Sequence, residues 1–338
     1  MSMKGHARLL VAGCGAATEQ FYVPALAARS DLAGRLLFLD LSRERSNALA
    51  KRMGGESVSS IAEARSKGAA AAILATPHHV HHQQAVEALD HGLHLFIEKP
   101  VTISEREARE IADKAQETGC LVMVNNNRRL FPSFQSIHDL IRSGDLGAFL
   151  GGEVHDGSEF EWPTVSGFYL TSKEAKGVLL DRGAHTIDIL TWWLGETLAV
   201  ASAGHDGFNG PDATFHLSLQ HEAGAKIDLK FSRLVKLSNS YHLRFENGEL
   251  KGRVFTWDKY ERRRPGGKWD TVTAEGFNPR AYNEFVYKMT NHFLDAVFSN
   301  SPPPFDIHSV IPSIALMERA YEVGVPFELP WYAEWKAG

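Results

Sequence analysis

The sequence predicts an α/β fold in two parts, and two patterns along the chain support this prediction. Up to about residue 125, near-continuous apolar runs alternate with helical segments, which is typical of a parallel sheet covered by helices on both faces. From Leu198 to about Val272, strands with turn signals follow one another without helices, which is typical of an antiparallel sheet. We therefore divide the chain into residues 1–125 and an α+β part, 126–338, with a mostly antiparallel open sheet.

The first part contains five predicted strands. They are expected at Arg8–Ala12, Arg35–Asp40, Ala70–Ala75, Leu93–Ile97 and Cys120–Asn125. Helical patterns separate them, the first two covering Glu19–Arg29 and Ser42–Met53. Because strands this uniformly apolar must be buried on both faces, we expect helices on each side of one parallel sheet.

The second part mixes helices, strands and one long loop. A polar, aromatic stretch, Gly157–Thr171, predicts the loop, and its aromatic rings either cover an active site or fill a core. A strand is expected at Phe149–His155, and helices are expected at Ser133–Arg142, Asp181–Leu194, Tyr282–Phe298 and His308–Tyr321.

The composition is that of a globular protein, and it excludes several classes of function. The 36 Lys and Arg against 41 Asp and Glu give a net charge of −5, so we expect no attraction to nucleic acid or to an anionic membrane. Cys14 and Cys120 are too few for a disulfide framework or a thiolate metal site. A signal-peptide pattern is missing, and no apolar run approaches the ~20 residues of a transmembrane helix. We therefore expect a cytoplasmic protein.

Gly13 and Gly15 form the first site motif, because they follow a predicted strand and precede a predicted helix. Glycines let the backbone turn tightly and approach a pyrophosphate, whose charge then lies on amides at the helix N-terminus. The third fingerprint position is Thr18, which predicts either wider packing of strand and helix or a hydroxyl that reaches a phosphate. Residues 1–125 are therefore predicted to form a Rossmann dinucleotide-binding domain.

Asp40 ends the second predicted strand, where an acidic side chain can bond the hydroxyls of the adenosine ribose. A carboxylate there repels a 2′-phosphate and favours NAD, whereas Arg43 and Arg45 nearby leave NADP open. The alternative for Asp40 is a helix N-cap. Strand, glycine turn and terminal acid together favour the cofactor interpretation.

Glu98-Lys99-Pro100 comes just after the predicted strand Leu93–Ile97. In open parallel sheets, ligands bind at the edge where the strands end. Lys99 can therefore donate or accept a proton, or polarise a carbonyl by a hydrogen bond. The alternative is an exposed lysine before a helix.

Asp181, His185 and Asp188 occupy positions i, i+4 and i+7, so they project from one helical face, beside which Gly183 leaves space. A histidine flanked by carboxylates can take the proton of a secondary alcohol while a hydride leaves the same carbon. The alternative is a capped helix start, with Asp181 as N-cap or first-turn acid and His185 packed in the core.

Together these motifs resemble, in kind and in order, those of the glucose–fructose oxidoreductase and inositol dehydrogenase (Gfo/Idh/MocA) family. The segments that carry the resemblance are Gly13-Cys14-Gly15, Pro24-Ala25-Leu26, Ala75-Thr76-Pro77 with His81, Glu98-Lys99-Pro100, and Gly177 to Asp188. The resemblance spans most of the chain. It implies that Lys99, Asp181 and His185 line the substrate site, with His185 as the acid/base.

The same resemblance implies cofactor contacts from Thr76, Pro77, His81, Glu98, Lys99 and Arg129, with Arg129 near the nicotinamide end. His78 stands where the family often has asparagine, which puts one ribose contact in doubt. The histidines between His78 and His82 suggest a metal site, but no carboxylate or cysteine completes one, so we expect no metal.

Three functions follow from these observations. The leading one is an NAD(P)-dependent oxidoreductase that acts on a secondary alcohol or ketone of a sugar, polyol or nucleotide-linked sugar. A second is an enzyme of the same fold that reduces and reoxidises NAD in place, as in glycoside cleavage or lyase chemistry. A third is a catalytically silent binding or regulatory protein. The second domain is expected to bind substrate and, through an uncovered sheet face, to form a homodimer or homotetramer.

Overall fold

The computed structural model describes residues 7–163, 167–207, 210–299 and 301–328. The chain forms two compact units. Among the described residues, the first contains 7–131, Pro163 and 277–315, and the second contains 132–162, 167–276 and 316–328.

The first unit is built on a six-stranded sheet in the order β3-β2-β1-β4-β5-β6. Every neighbouring pair is parallel, which confirms the predicted sheet. This strand order is that of a Rossmann fold. The strands are β1 (Arg8–Ala12), β2 (Leu36–Leu39), β3 (Glu56–Ser57), β4 (Ala69–Leu74), β5 (His94–Ile97) and β6 (Val122–Val124). Strand β3 was not predicted because its two polar residues carry no apolar pattern.

The second unit is built on a nine-stranded sheet in the order β14-β13-β12-β11-β7-β10-β9-β8-β15. Most pairs are antiparallel, as predicted, but β10 runs parallel to β7, and β15 runs parallel to β8. The strands are β7 (Phe149–Gly157), β8 (Leu198–His205), β9 (Thr214–His221), β10 (Lys226–Ser232), β11 (Ser240–Phe245), β12 (Gly248–Arg253), β13 (Lys259–Arg263), β14 (Asp270–Thr273) and β15 (Val325–Pro326).

Ten α-helices are present in the described parts of the chain. They are α1 (Val23–Ala27), α2 (Arg43–Met53), α3 (Ile61–Ser66), α4 (His81–Asp90), α5 (Glu105–Thr118), α6 (Pro132–Arg142), α7 (Phe168–Thr171), α8 (Ala184–Leu194), α9 (Asn283–Ser299) and α10 (Ile311–Val323). Two begin with a wider, π-helical turn: Thr18–Tyr22 precedes α1, and Leu179–Gly183 precedes α8. In the part of the chain that the structure covers, no helix is long and apolar enough to span a bilayer.

Helix α9 belongs to the first unit, although the sequence-based division at residue 125 assigned it to the second domain. Phe293 of α9 stacks on Phe96 of β5 with ring centroids 5.5 Å apart, and Phe285 packs against Phe131 at 4.6 Å. Burial of these rings draws a late segment of the chain onto the first sheet. Local sequence patterns carry no signal for such a return.

Candidate active site

The glycine turn, residues 13–15, directly follows β1. Gly13 has φ +91°, and an added Cβ would lie 2.5 Å from the carbonyl oxygen of Ala75, so only glycine fits there. At Gly15, an added Cβ would meet no atom within 4 Å. One glycine is thus required by the fold, and the other leaves open space beside the turn, as a cradle for a pyrophosphate does.

Thr18 has a different role from the predicted phosphate contact. Its side chain is fully buried, and its hydroxyl donates to the carbonyl oxygen of Gly13 at 2.5 Å. The hydroxyl therefore stabilises the backbone of the glycine turn from its buried side. The sequence alone offered both packing and phosphate binding, and the observed bond favours packing.

Asp40 follows β2 and is not the helix N-cap, because Ser42 accepts the bond from the amide of Arg45 at the start of α2. One Asp40 oxygen accepts from the backbone N–H of Cys14 at 2.7 Å. The other accepts from the N–H of Ser42 at 2.7 Å and from Nη2 of Arg45 at 2.9 Å. The carboxylate therefore contacts the glycine turn itself, where the ribose-binding acid of a Rossmann site belongs.

His81 joins the two loops that follow β4 and β5. Its ring nitrogens lie 2.8 Å from the carbonyl oxygen of Thr76 and 3.0 Å from that of Pro100. Burial lowers the pKa of His81 from 6.5 to about 4, because it disfavours the imidazolium. Thr76 is half-buried and Pro77 is exposed at the edge where β4 ends. His81 is thus a buried connection between loops, whereas Thr76 and Pro77 lie at the surface of the predicted cofactor site.

Glu98 and Lys99 follow β5, at the same carboxyl edge as the glycine turn. The Glu98 carboxylate accepts from the Tyr22 hydroxyl at 2.5 Å and from Nδ2 of Asn125 at 2.8 Å. Burial, and then the nearby Glu98 charge, raise the pKa of Tyr22 well above its usual value, so Tyr22 stays a donor. These bonds fix the backbone just before the half-buried Lys99. Tyr22 and Asn125 were not predicted, since only the fold brings them to Glu98.

Arg129 is 1% exposed and is held by residues far along the chain. Nη1 donates to the hydroxyl of Ser309 at 2.9 Å, Nη2 donates to its carbonyl at 2.8 Å, and the guanidinium lies 5.2 Å from the Phe305 ring centroid. These contacts give Arg129 a structural role in the first unit. A contact of Arg129 with the nicotinamide stays a prediction.

Asp181 and His185 belong to the second unit, in the helical segment that runs from Leu179 through α8. Asp181 lies within the π-helical turn, so it is an acidic residue of the first turn and not the N-cap, and both side chains are half-buried. Asp188 differs, because it is 2% exposed and lies inside the unit. The space predicted beside Gly183 is occupied: a Cβ there would lie 2.8 Å from Leu179 Cδ1 and 3.6 Å from Phe231 Cζ. Gly183 therefore allows close packing instead of a cavity.

Two buried aspartates, both missed by the sequence analysis, support this segment. Asp156 at the end of β7 accepts from Nη1 of Arg182 at 2.7 Å and from the hydroxyl of Thr186 at 3.3 Å, on either side of His185. Asp212 accepts from the amide of Leu179 at 3.3 Å and from the Tyr321 hydroxyl at 2.7 Å. An ordinary strand or loop aspartate carries no local signal of such a role.

Asp212 also explains Gly177, the first residue of the motif around His185. An added Cβ on Gly177 would lie 2.3 Å from the Asp212 side chain and 2.4 Å from its backbone N and O. Burial raises the pKa of Asp212, and the hydrogen bond from Tyr321 partly offsets this. The helical segment thus starts from a fixed contact with Asp212.

The predicted loop Gly157–Thr171 is irregular from residue 158 to 163 and forms the short helix α7 at its end. Phe160 and Tyr169 lie with their ring centroids 6.3 Å apart. Residues 164–166 of this loop lie outside the described residues. Among the described residues, no group of three or more His, Cys, Asp or Glu could hold a metal ion.

Comparison with protein families shows the class of protein to which this fold belongs. Residues 7–126 match the family model GFO_IDH_MocA, described as an oxidoreductase family with an NAD-binding Rossmann fold. Residues 134–251 match the GFO/IDH/MocA C-terminal domain. These matches cover more than half of the chain, which therefore belongs to this family. The resemblance seen in the motifs is confirmed.

Several known proteins are similar to this chain. A 4-carboxy-2-hydroxymuconate-6-semialdehyde dehydrogenase of Sphingobium is 28% identical over 53% of this chain and 57% of its own length. The scyllo-inositol 2-dehydrogenase (NAD(+)) of Bacillus subtilis is 26% identical over 49% of each chain. The matches thus span about half the length of these curated relatives.

Similarity of fold extends further than similarity of sequence. KijD10, a 3-ketoreductase from Actinomadura kijaniata solved with NADP and TDP-benzene, superposes with a TM-score of 0.81. The superposition covers 96% of this chain and 100% of the other, at 21% identity. The fold of this chain is therefore that of KijD10.

Proposed function

We propose that this protein is an NAD(P)-dependent oxidoreductase that transfers a hydride to or from a secondary alcohol or ketone of a sugar, polyol or nucleotide-linked sugar. The observation that carries the proposal is the shared edge of the first sheet. The glycine turn, Asp40, Thr76 and Lys99 follow four parallel strands there, so nucleotide-binding and proton-handling groups occur together.

The residues present fit a dinucleotide. The open space beside Gly15 and the position of Asp40 against the Cys14 amide suit a pyrophosphate and an adenosine ribose. When bound, the nicotinamide supplies or accepts the hydride. We propose NAD as the main cofactor, because the Asp40 carboxylate repels a 2′-phosphate. Arg45 lies beside Asp40, so NADP remains the alternative cofactor.

His185 moves the hydroxyl proton of the substrate in this proposal, and Lys99 orients or polarises the same oxygen. Asp181, four residues before His185, either orients the imidazole or binds the substrate. The bonds of Asp156 to Arg182 and Thr186 limit movement of the helical turn that carries His185. Glu98 accepts hydrogen bonds from Tyr22 and Asn125, and these bonds limit movement of the loop that carries Lys99.

The test compares His185→Ala and Lys99→Ala with wild type. A panel of scyllo-inositol, D-glucose, D-glucose 6-phosphate and UDP-glucose is offered with NAD, and NADH is followed by its absorbance. We expect each variant to lose about 10²-fold or more in turnover and to keep its NADH affinity. Lys51→Ala, an exposed residue of α2, serves as the matched lysine control.

Three other outcomes have defined meanings. Near-normal turnover by the His185 and Lys99 variants would refute the proposed roles. Product formed without net NADH would favour internally recycled redox chemistry. Cofactor binding without turnover of any ligand would favour a silent binding protein.

We also propose a cytoplasmic homodimer or homotetramer. Both cysteines are free, which suits a reducing compartment. On β10, Lys226, Asp228 and Lys230 alternate with buried residues and leave one face exposed with charges of both signs. A second copy would be held there mainly by polar contacts. Sedimentation at micromolar concentration should show a species larger than a monomer, and a monomer alone would refute this.

A further inference from the structure

Arg233 directly follows β10, and its side chain is buried in the second unit. It is only 5% exposed. Burying a guanidinium is costly, so buried arginines are normally paired with acceptors through most of their N–H groups. Arg233 therefore stands out among the cations of this unit.

Only one part of the guanidinium has a hydrogen-bond partner among the described residues, although its charge also acts on the buried Asp212, whose pKa it pulls down against the effect of burial. Nη1 donates to the carbonyl oxygen of Tyr169 at 2.6 Å, and the group lies 5.5 Å from the Phe160 ring centroid. Nε and Nη2 are buried and have no hydrogen-bond partner among the described residues. Two donors of one cation are thus left over inside the protein.

These two nitrogens form one edge of the guanidinium. Their N–H bonds run parallel and match the two oxygens of a carboxylate or phosphate. Arg29 uses the same edge in this way, because its Nε lies 2.8 Å from one Asp31 oxygen and its Nη2 lies 2.9 Å from the other. Arg263 also uses this edge, but both of its nitrogens donate to one Glu249 oxygen, at 3.0 Å and 2.7 Å.

The position of Arg233 relates it to the residues proposed for catalysis in the second unit. The preceding Ser232 pairs with Gly157 of β7, next to Asp156, which bonds Arg182. Phe231, two residues before Arg233, lies against Gly183. Arg233 is thus at the end of β7 and β10 where the segment of Asp181 and His185 packs.

We propose that the Nε–Nη2 edge of Arg233 binds an anionic group of the substrate, a carboxylate or a phosphate. This inference rests on the proposed function and narrows its substrates from sugars, polyols and nucleotide-linked sugars to those that carry a carboxylate or a phosphate. Phe160 and the Tyr169 carbonyl hold the guanidinium in place, and the anion supplies the acceptors that the protein does not.

Thermal unfolding of the full chain tests the anion site without any turnover. At constant ionic strength, sodium chloride is replaced by sodium acetate or by sodium phosphate. We expect at least one of these anions to raise the Tm of wild type by about 2 °C or more beyond its effect on Arg233→Met. Arg263→Met, whose edge is already occupied by Glu249, should respond like wild type. Because general salt effects act on all three proteins alike, equal responses by wild type and Arg233→Met would overturn the proposal.

Titration calorimetry then separates the two sources of the anion. With NADH present, D-glucuronate and D-glucose 6-phosphate are compared with D-glucose. We expect one acidic sugar to bind at least about tenfold tighter than glucose in wild type but not in Arg233→Met, and equal preference in both proteins would contradict this. If Arg233→Met does not fold, Arg233→Lys, which keeps the charge but lacks the two-nitrogen edge, takes its place. Failure of NADH to bind at all would refute the proposed function, whereas the anion response tests Arg233 separately.

Discussion

Gly13→Ala and Gly15→Ala should separate the structural and the cofactor-binding parts of the glycine turn. At Gly13, the added Cβ would lie 2.5 Å from the Ala75 oxygen and 2.9 Å from the Thr76 amide nitrogen, and φ is +91°. A non-glycine residue in this region of φ costs about 1–2 kcal/mol, and overpacking adds about 1–3 kcal/mol. We therefore expect a loss of about 2–5 kcal/mol in the free energy of unfolding.

At Gly15 the same substitution meets no atom within 4 Å and no unfavourable φ. Its stability should therefore stay close to that of wild type, while the methyl group obstructs the approach of a pyrophosphate. The assays are thermal unfolding and fluorescence titration with NADH. Gly13→Ala should lower Tm by roughly 5–15 °C, and Gly15→Ala should weaken NADH binding by about tenfold or more at unchanged Tm. Normal NADH affinity in Gly15→Ala would refute the cradle interpretation, and a fully stable Gly13→Ala would refute the steric one.

Three further predictions concern the surroundings of the site. Asp40→Ala removes a carboxylate that repels a 2′-phosphate, and it releases Arg45. The ratio of NADPH to NADH affinity, measured by titration, should therefore rise by about tenfold. An unchanged ratio would show that Asp40 does not select between the two cofactors. The pKa of His81 is about 4 in the folded protein and 6.5 in the unfolded chain. The neutral ring therefore adds at most about 3 kcal/mol to the free energy of unfolding. This contribution is present above pH 6.5 and is lost as the pH falls to 4. Urea unfolding at pH 7 and 4.5 should show that His81→Gln loses less free energy of unfolding between these two pH values than wild type does. Equal losses in the two proteins would contradict the lowered pKa of His81. Gly177→Ala drives a Cβ into Asp212 and should lower both Tm and turnover, which thermal unfolding and the NADH assay would show.

Much of the fold was predictable because it depends on local patterns. The uniformly apolar runs around β1 and β4 and the turn-rich region after residue 198 led directly to a parallel and a mostly antiparallel sheet. The bond of Asp40 to the Cys14 amide is seen only in the structure, whereas its position at the end of the second strand followed from the apolar run before it. Such features are fixed by neighbours in sequence.

The rest depends on contacts between distant segments. Helix α9 joins the first unit through rings of Phe285 and Phe293, which local pattern does not reveal. Likewise, Asp212 is 35 residues from Gly177 and becomes important only because the two backbones touch. For Thr18, packing and phosphate binding were both open, and the bond from its hydroxyl to the Gly13 carbonyl appears only in the structure. The space expected beside Gly183 is filled by Leu179.

The most direct test of the central claim is a fluorescence titration of the wild-type protein with NADH and with NADPH. Saturable binding of one or both, with NADH preferred, is the predicted result, and it would support the dinucleotide site formed by the glycine turn and Asp40. Preference for NADPH would be consistent with the proposed oxidoreductase, but it would assign the choice of cofactor to Arg43 or Arg45. If neither binds, the glycine turn holds no cofactor, and the proposed hydride transfer is contradicted.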